Sequence, residues 1–165
     1  IGCRFRFAKD NYSEGHERSD TMKKFGDLTK YIPQLKDDSV GNWVIDREND
    51  GTPDHPKQMP FVNYSEMVHH FIKDVYDFEE KNKDFELTRY GEILEKNGLE
   101  WGSKSMSEAD VSSLDGQCIM ALIMGAVRAE RFCDGALLGL FKNGSIKKWL
   151  EKLKEIDDNN KGKEN

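Results

Sequence analysis

The residues of this chain best suited to chemistry are two arginines and two acids set close together: Arg128, Glu130, Arg131 and Asp134. A pair of guanidinium groups can grip a carboxylate or a phosphate. Acids beside them can move protons or neutralise the charge. Far upstream, Trp43, Asp46 and His55 belong to a polar, turn-rich stretch that could face the same ligand. If His55 converges with Glu130 and Asp134, the set suits a hydrolase or transferase acting on an anionic small molecule. The leading reading is instead a small binding or interaction protein, with the arginines and the stretch at 46–56 as its recognition surface. No residue is assigned a catalytic role, because the chain has no G-x-S-x-G and no phosphate-cradling glycine loop.

Metal and cofactor chemistry find little support. Asp46, Glu48, Asp50, Gly51 and Asp54 match part of a calcium loop, but its closing glutamate position is Lys57 and its apolar position is Pro53. The stretch reads better as a long hairpin loop turning at Asp50-Gly51. His69 and His70 are adjacent, whereas a two-histidine helical site wants i, i+4 spacing. The expectation is no metal and no cofactor.

The elements that must position these groups centre on Leu114 to Phe141. Cys118 to Val127 carries no charge, and its apolar residues surround the helix at about 100° per residue. A helix apolar all round lies in a core. A membrane span needs roughly 20 such residues, and Arg128 ends the run too early. Ser112 and Asp115 have capping-box spacing at its start. Gly116 and Gly125, poor helix formers, imply close approach of neighbours. Asp134-Gly135 marks a break before a short apolar helix from Ala136 to Phe141, closed by Asn143-Gly144. The charges between the two apolar runs must be paired or reach water. Arg131 and Asp134 can pair at i, i+3, while Arg128 and Glu130 point apart and need partners from other elements.

Elsewhere, Met22, Phe25, Leu28 and Ile32 predict a helix over 21–32, stopped at Pro33. Trp43 to Ile45 and Gln58 to Asn63 predict two strands. Ser65 caps a helix running to about Asn82, with Val68, Phe71, Ile72, Val75 and Phe78 as its apolar stripe. Leu87 to Asn97 is a short helix closed by Gly98. Ser105 and Glu108 have capping-box spacing for a brief helical turn. Ile146, Trp149, Leu150, Leu153 and Ile156 predict a final amphipathic helix. The fold class is therefore mainly α: a single-domain helical bundle around a central buried helix, with a small β-hairpin near residues 43–62. Residues 1–20 read as an arm, strand-like and then loop, residues 21–156 as the domain, and residues 157–165 as a disordered tail.

The net charge of −6 disfavours nucleic acid, which calls for a basic patch. Three cysteines without a CxxC suit a reducing, cytoplasmic setting. No membrane partner is expected; the partners left open are an anionic small molecule, another protein, or a second copy in a homodimer.

The sequence also carries a family resemblance. DRENDGTPDHPKQMPFVNYS at 46–65, ELTRYGEIL at 86–94 and IMALIMGAVRAERFCDGALLGLFKNGSIKKWL at 119–150 resemble a bacterial family of uncharacterised proteins, domain of unknown function 6508. The likeness extends over about 25–156, leaving residues 1–20 as an addition. It implies no activity, substrate or site residue.

Overall fold

The structure, a computed structural model, describes residues 23–163. The arm read at 1–20 lies outside the described residues. The rest is mainly helical with one two-stranded hairpin, as the periodicity requires.

The central element is α5, Gly116–Ala129, and every residue from Cys118 to Val127 is buried. It packs against α2 (Glu66–Lys81), α3 (Tyr90–Lys96), α6 (Ala136–Lys142) and α7 (Ser145–Lys161). A helix with neighbours on all sides has no face to give to water, so the missing charge is explained. Its cap is Asp115 itself, whose carboxylate accepts the Cys118 N–H at 2.8 Å, rather than the Ser112 that the spacing suggested. Both glycines mark tight places. A β-carbon at Gly116 would lie 2.7 Å from the Phe25 ring, and one at Gly125 would lie 3.2 Å from the Trp101 indole.

Helix α2 follows its stripe. Val68, Phe71, Val75 and Phe78 are buried, Ile72 is partly so, and the Ser65 hydroxyl accepts the Val68 N–H. The Phe78 and Phe25 rings stack at 5.6 Å, while Phe71 meets both Tyr31 and Phe141 edge-on at 5.5 Å. Helix α7 buries Ile146, Trp149, Leu150 and Leu153. It also continues to Lys161, so the disordered tail expected from residue 157 is helical to that point. Asp157 explains the extension: its buried carboxylate accepts the Phe25 N–H at 3.0 Å, tying the last turns to the opening of the domain.

Other elements differ in detail. The helix expected over 21–32 is reduced to α1, Gly26–Thr29, followed by a 3₁₀ turn at Ile32–Gln34 that contains Pro33 instead of stopping before it. The stretch from Leu87 begins as a 3₁₀ turn before α3, and Gly98 adopts φ +73° just past the α3 cap, Asn97. The Ser105–Glu108 spacing lies inside α4, Ser103–Glu108; the Ser105 hydroxyl accepts the Glu100 N–H instead of capping a new turn.

Strands β1, Gly41–Val44, and β2, Phe61–Tyr64, pair antiparallel with Trp43 opposite Val62 and Val44 opposite Phe61. The ladder starts after Pro60, whose missing N–H cannot take part. Between the strands the loop is held by its own acids. Asp46 accepts N–H bonds from Glu48, Asn49 and Gln58, and Asp50 accepts from Thr52. Gly51 supplies the positive φ of the turn. A lone hairpin is marginal in water; this one is anchored on the helices, as described next.

Candidate functional site at the α5–α6 junction

Residues 128–135 leave the core at the end of α5 and turn back into α6. Glu130 organises the turn. One carboxylate oxygen accepts the Gly135 N–H at 3.0 Å and the other accepts the Leu137 N–H at 2.8 Å. The next free amide of α6, that of Leu138, is taken by the Tyr64 hydroxyl at 3.0 Å. Gly135, at φ +84°, has no side chain with which to cap the helix, so the acid just past α5 and a phenol from β2 do it instead. Burial first, and then the Glu130 carboxylate beside it, push the Tyr64 phenol far above its usual range. Tyr64 therefore stays a neutral bridge between hairpin and junction. Trp43 adds a second anchor: its ring lies so close over Gly135 that a β-carbon there would fall 2.3 Å from it.

The arginines are held differently from what the sequence suggested. The Arg131–Asp134 pair does not form, and among the described residues neither Arg128 nor Arg131 has a carboxylate within salt-bridge distance. Both guanidinium groups lie instead against one ring, that of Tyr76 on α2, at 5.3 and 5.5 Å from its centroid. Such contacts are worth about 0.5–1 kcal/mol each where exposed, and more when desolvated. Arg128 Nε and the Tyr76 hydroxyl are buried without a hydrogen-bond partner among the described residues. Groups of that kind are normally satisfied.

Aromatic surface flanks the arginines. Phe132 is 78% exposed and meets Trp101 edge-on at 6.0 Å. Trp101 in turn meets Tyr90 at 5.7 Å and donates its indole N–H to the Gly125 carbonyl. Cavities of about 640 and 590 Å³ lie elsewhere: one by Leu99 to Asp110, one between Lys23 to Asp27 and α2. At the junction Arg131, Phe132, Cys133 and Asp134 are exposed, so it is an open face.

Of the residues singled out from sequence, Arg128, Glu130, Arg131 and Asp134 share this junction, and Trp43 joins them through Gly135. Asp46 and His55 do not. Asp46 is spent on its own loop, where the backbone bond from Gln58, then Asn49, holds its carboxyl far below the usual range. His55 is exposed and takes part in the loop through backbone bonds with Gly51 and Thr52. Tyr64, Tyr76 and Phe132 went unnoticed in the sequence. Tyr76 alone gave a signal, standing one turn after Ile72 at the edge of the α2 stripe.

Among the described residues no group of His, Cys, Asp and Glu could hold a metal ion, and no helix is long and apolar enough to cross a membrane. No curated protein and no solved structure matches the chain. The model of one family, a family of unknown function (DUF6508), matches residues 21–159, and the chain belongs to that family.

Proposed function

We propose that the protein is a cytoplasmic interaction module whose α5–α6 junction captures an anionic group on a partner. One observation carries this reading: two guanidinium groups lie against the ring of Tyr76, with no carboxylate partner among the described residues, in a chain of net charge −6. Acids outnumber bases in this sequence, so arginines left without an acidic neighbour stand out. An incoming carboxylate or phosphate would supply the acceptor that Arg128 Nε lacks, and the aromatic rings beside it would hold the partner's apolar part. The openness of the junction favours a macromolecular partner over a small molecule, which normally sits in a concave pocket. Among the described residues the thiols of Cys118 and Cys133 are unbridged, which suits a reducing compartment.

The enzyme reading gains no comparable support. Both oxygens of Glu130 are engaged in holding α6, and no hydrogen bond joins His55 to the junction among the described residues.

The test uses a short poly-glutamate peptide and inorganic phosphate as probes, with dilute protein in low salt. Saturable binding to the natural chain is expected, with loss on Arg128→Ala plus Arg131→Ala while circular dichroism stays unchanged. Equal binding by the doubly substituted chain, or no binding by the natural one, overturns the proposal.

A further inference from the structure

Among the described residues three buried side-chain atoms have no hydrogen-bond partner: Tyr76 Oη, Arg128 Nε and Trp149 Nε1. Trp149 is sealed in the core. The other two lie together at the edge of the molecule, because the Arg128 guanidinium rests 5.3 Å from the centre of the Tyr76 ring. A buried polar group without a partner destabilises a fold. Two at one place mark a seat that something beyond these residues completes.

Both groups can donate: Arg128 Nε through its N–H, the phenol through its O–H. One acceptor oxygen between them would satisfy both. Arg131, exposed and 5.5 Å from the same ring, is a third donor and the flexible side chain that can swing aside to admit it. Neither neighbouring acid fills the seat. Glu130 has both oxygens on α6 amides, and Asp134 makes no ion pair with either arginine among the described residues.

Net charge does not choose the ligand, since Arg128 and Arg131 stand against Glu130 and Asp134 in one turn. The unmet donors choose it. The head group must bring an acceptor oxygen while adding little negative charge beside two acids. A carboxylate brings one charge, whereas a phosphate monoester brings about 1.5–2.

We infer that this seat takes a carboxylate, one oxygen of which accepts from both the Tyr76 hydroxyl and Arg128 Nε. The inference rests on the reading of the arginines given above, names the head group and adds Tyr76 to the residues that hold it. A chain-terminal carboxylate and an Asp or Glu side chain share that chemistry.

Tyr76→Phe is the test, because it keeps the ring beside the guanidinium groups and removes only the hydroxyl. Free of ligand, the variant has lost an unsatisfied group, so its thermal midpoint should rise by about 2–4 °C. Its carboxylate affinity should nevertheless fall roughly tenfold or more. A merely structural hydroxyl would lower stability and binding together. The probes are four peptides of one uncharged sequence: one with a free C-terminal carboxylate, and three amidated forms carrying a glutamate, a phosphoserine or no charge. Titration calorimetry at neutral pH and low salt should show the natural chain binding a carboxylate peptide more tightly than the phosphoserine peptide, and the uncharged form not at all. Whether the free terminus or the glutamate binds better identifies the source. A midpoint that stays or falls, as it would if trapped water already served the hydroxyl, overturns the inference. So does equal affinity in the variant, or phosphoserine binding as tight as carboxylate binding. If Arg128→Ala plus Arg131→Ala abolishes binding while Tyr76→Phe leaves it intact, the arginine surface stands and this inference alone falls. A natural chain that binds none of the peptides takes both down.

Discussion

Cys118–Val127 and the residues at 128–135 follow one another directly, yet they meet opposite fates. The first run is buried throughout, whereas Arg131, Phe132, Cys133 and Asp134 are all exposed. In the first, the helix ladder and its Asp115 cap satisfy the amides, and packing sets the rest. In the second, the helix has ended, and the polar groups must find partners on other elements. Glu130 reaches forward to α6, Tyr64 comes from β2, and Tyr76 comes from α2. The contrast shows where function can be placed without unfolding the molecule. A surface attached to the end of a rigid rod can vary while the rod holds the fold.

Substitutions should separate the two regions sharply. Leu122→Ala, inside the rod, removes a fully buried side chain and should cost about 2–5 kcal/mol, read as a large fall in the thermal midpoint. Glu130→Ala removes the acceptor of two N–H groups at once and should cost about 1.5–3 kcal/mol. Hydrogen exchange would sharpen this result: the amides of Gly135 and Leu137 should exchange faster while those of α5 keep their protection. Equal loss of protection in both places would mean that rod and junction unfold as one.

Gly116→Ala tests the rod where it is narrowest. Helix propensity alone predicts a gain of about 1 kcal/mol. The 2.7 Å approach of Phe25 should reverse the sign, giving a net loss of about 1–3 kcal/mol in denaturant unfolding. Gly139→Ala is the control: nothing lies within 4 Å of its added carbon, so it should keep the propensity gain.

The smallest effect is chemical. Burial, and then Asp115, push the Cys118 thiol up to about 11. The native state therefore keeps its proton where the unfolded chain, near 9.0, has already lost it. The sign follows from the linkage between protons and folding: this contribution to stability is complete below about pH 9 and declines as the pH rises toward 11. At neutral pH a thiol reagent should label exposed Cys133 and spare Cys118, as mass spectrometry of digests would show.

The rod was readable because an uncharged run apolar on every side has few solutions in water. The α2 and α7 stripes were readable because each repeats with the helical period, and Ser65 because its hydroxyl acts locally. What escaped depends on residues distant in sequence. Nothing in Arg128 or Arg131 announces that a tyrosine more than fifty positions earlier will take the place of an acid. Asp157 sits in a polar run that resembles a frayed end, and only the Phe25 amide makes it structural. Asp115 and Ser112 both suit a helix start by type, and the helix took the one whose carboxylate reaches an amide three residues on.

The three tryptophans have a practical consequence. Trp149 is wholly enclosed, whereas Trp43 and Trp101 are each 45% exposed and border the junction, at Gly135 and at Phe132. Light emission from the molecule thus contains one shielded source and two that water-borne quenchers can reach. Whatever settles on the junction should darken the difference between them, so the native chain is its own optical sensor of occupancy.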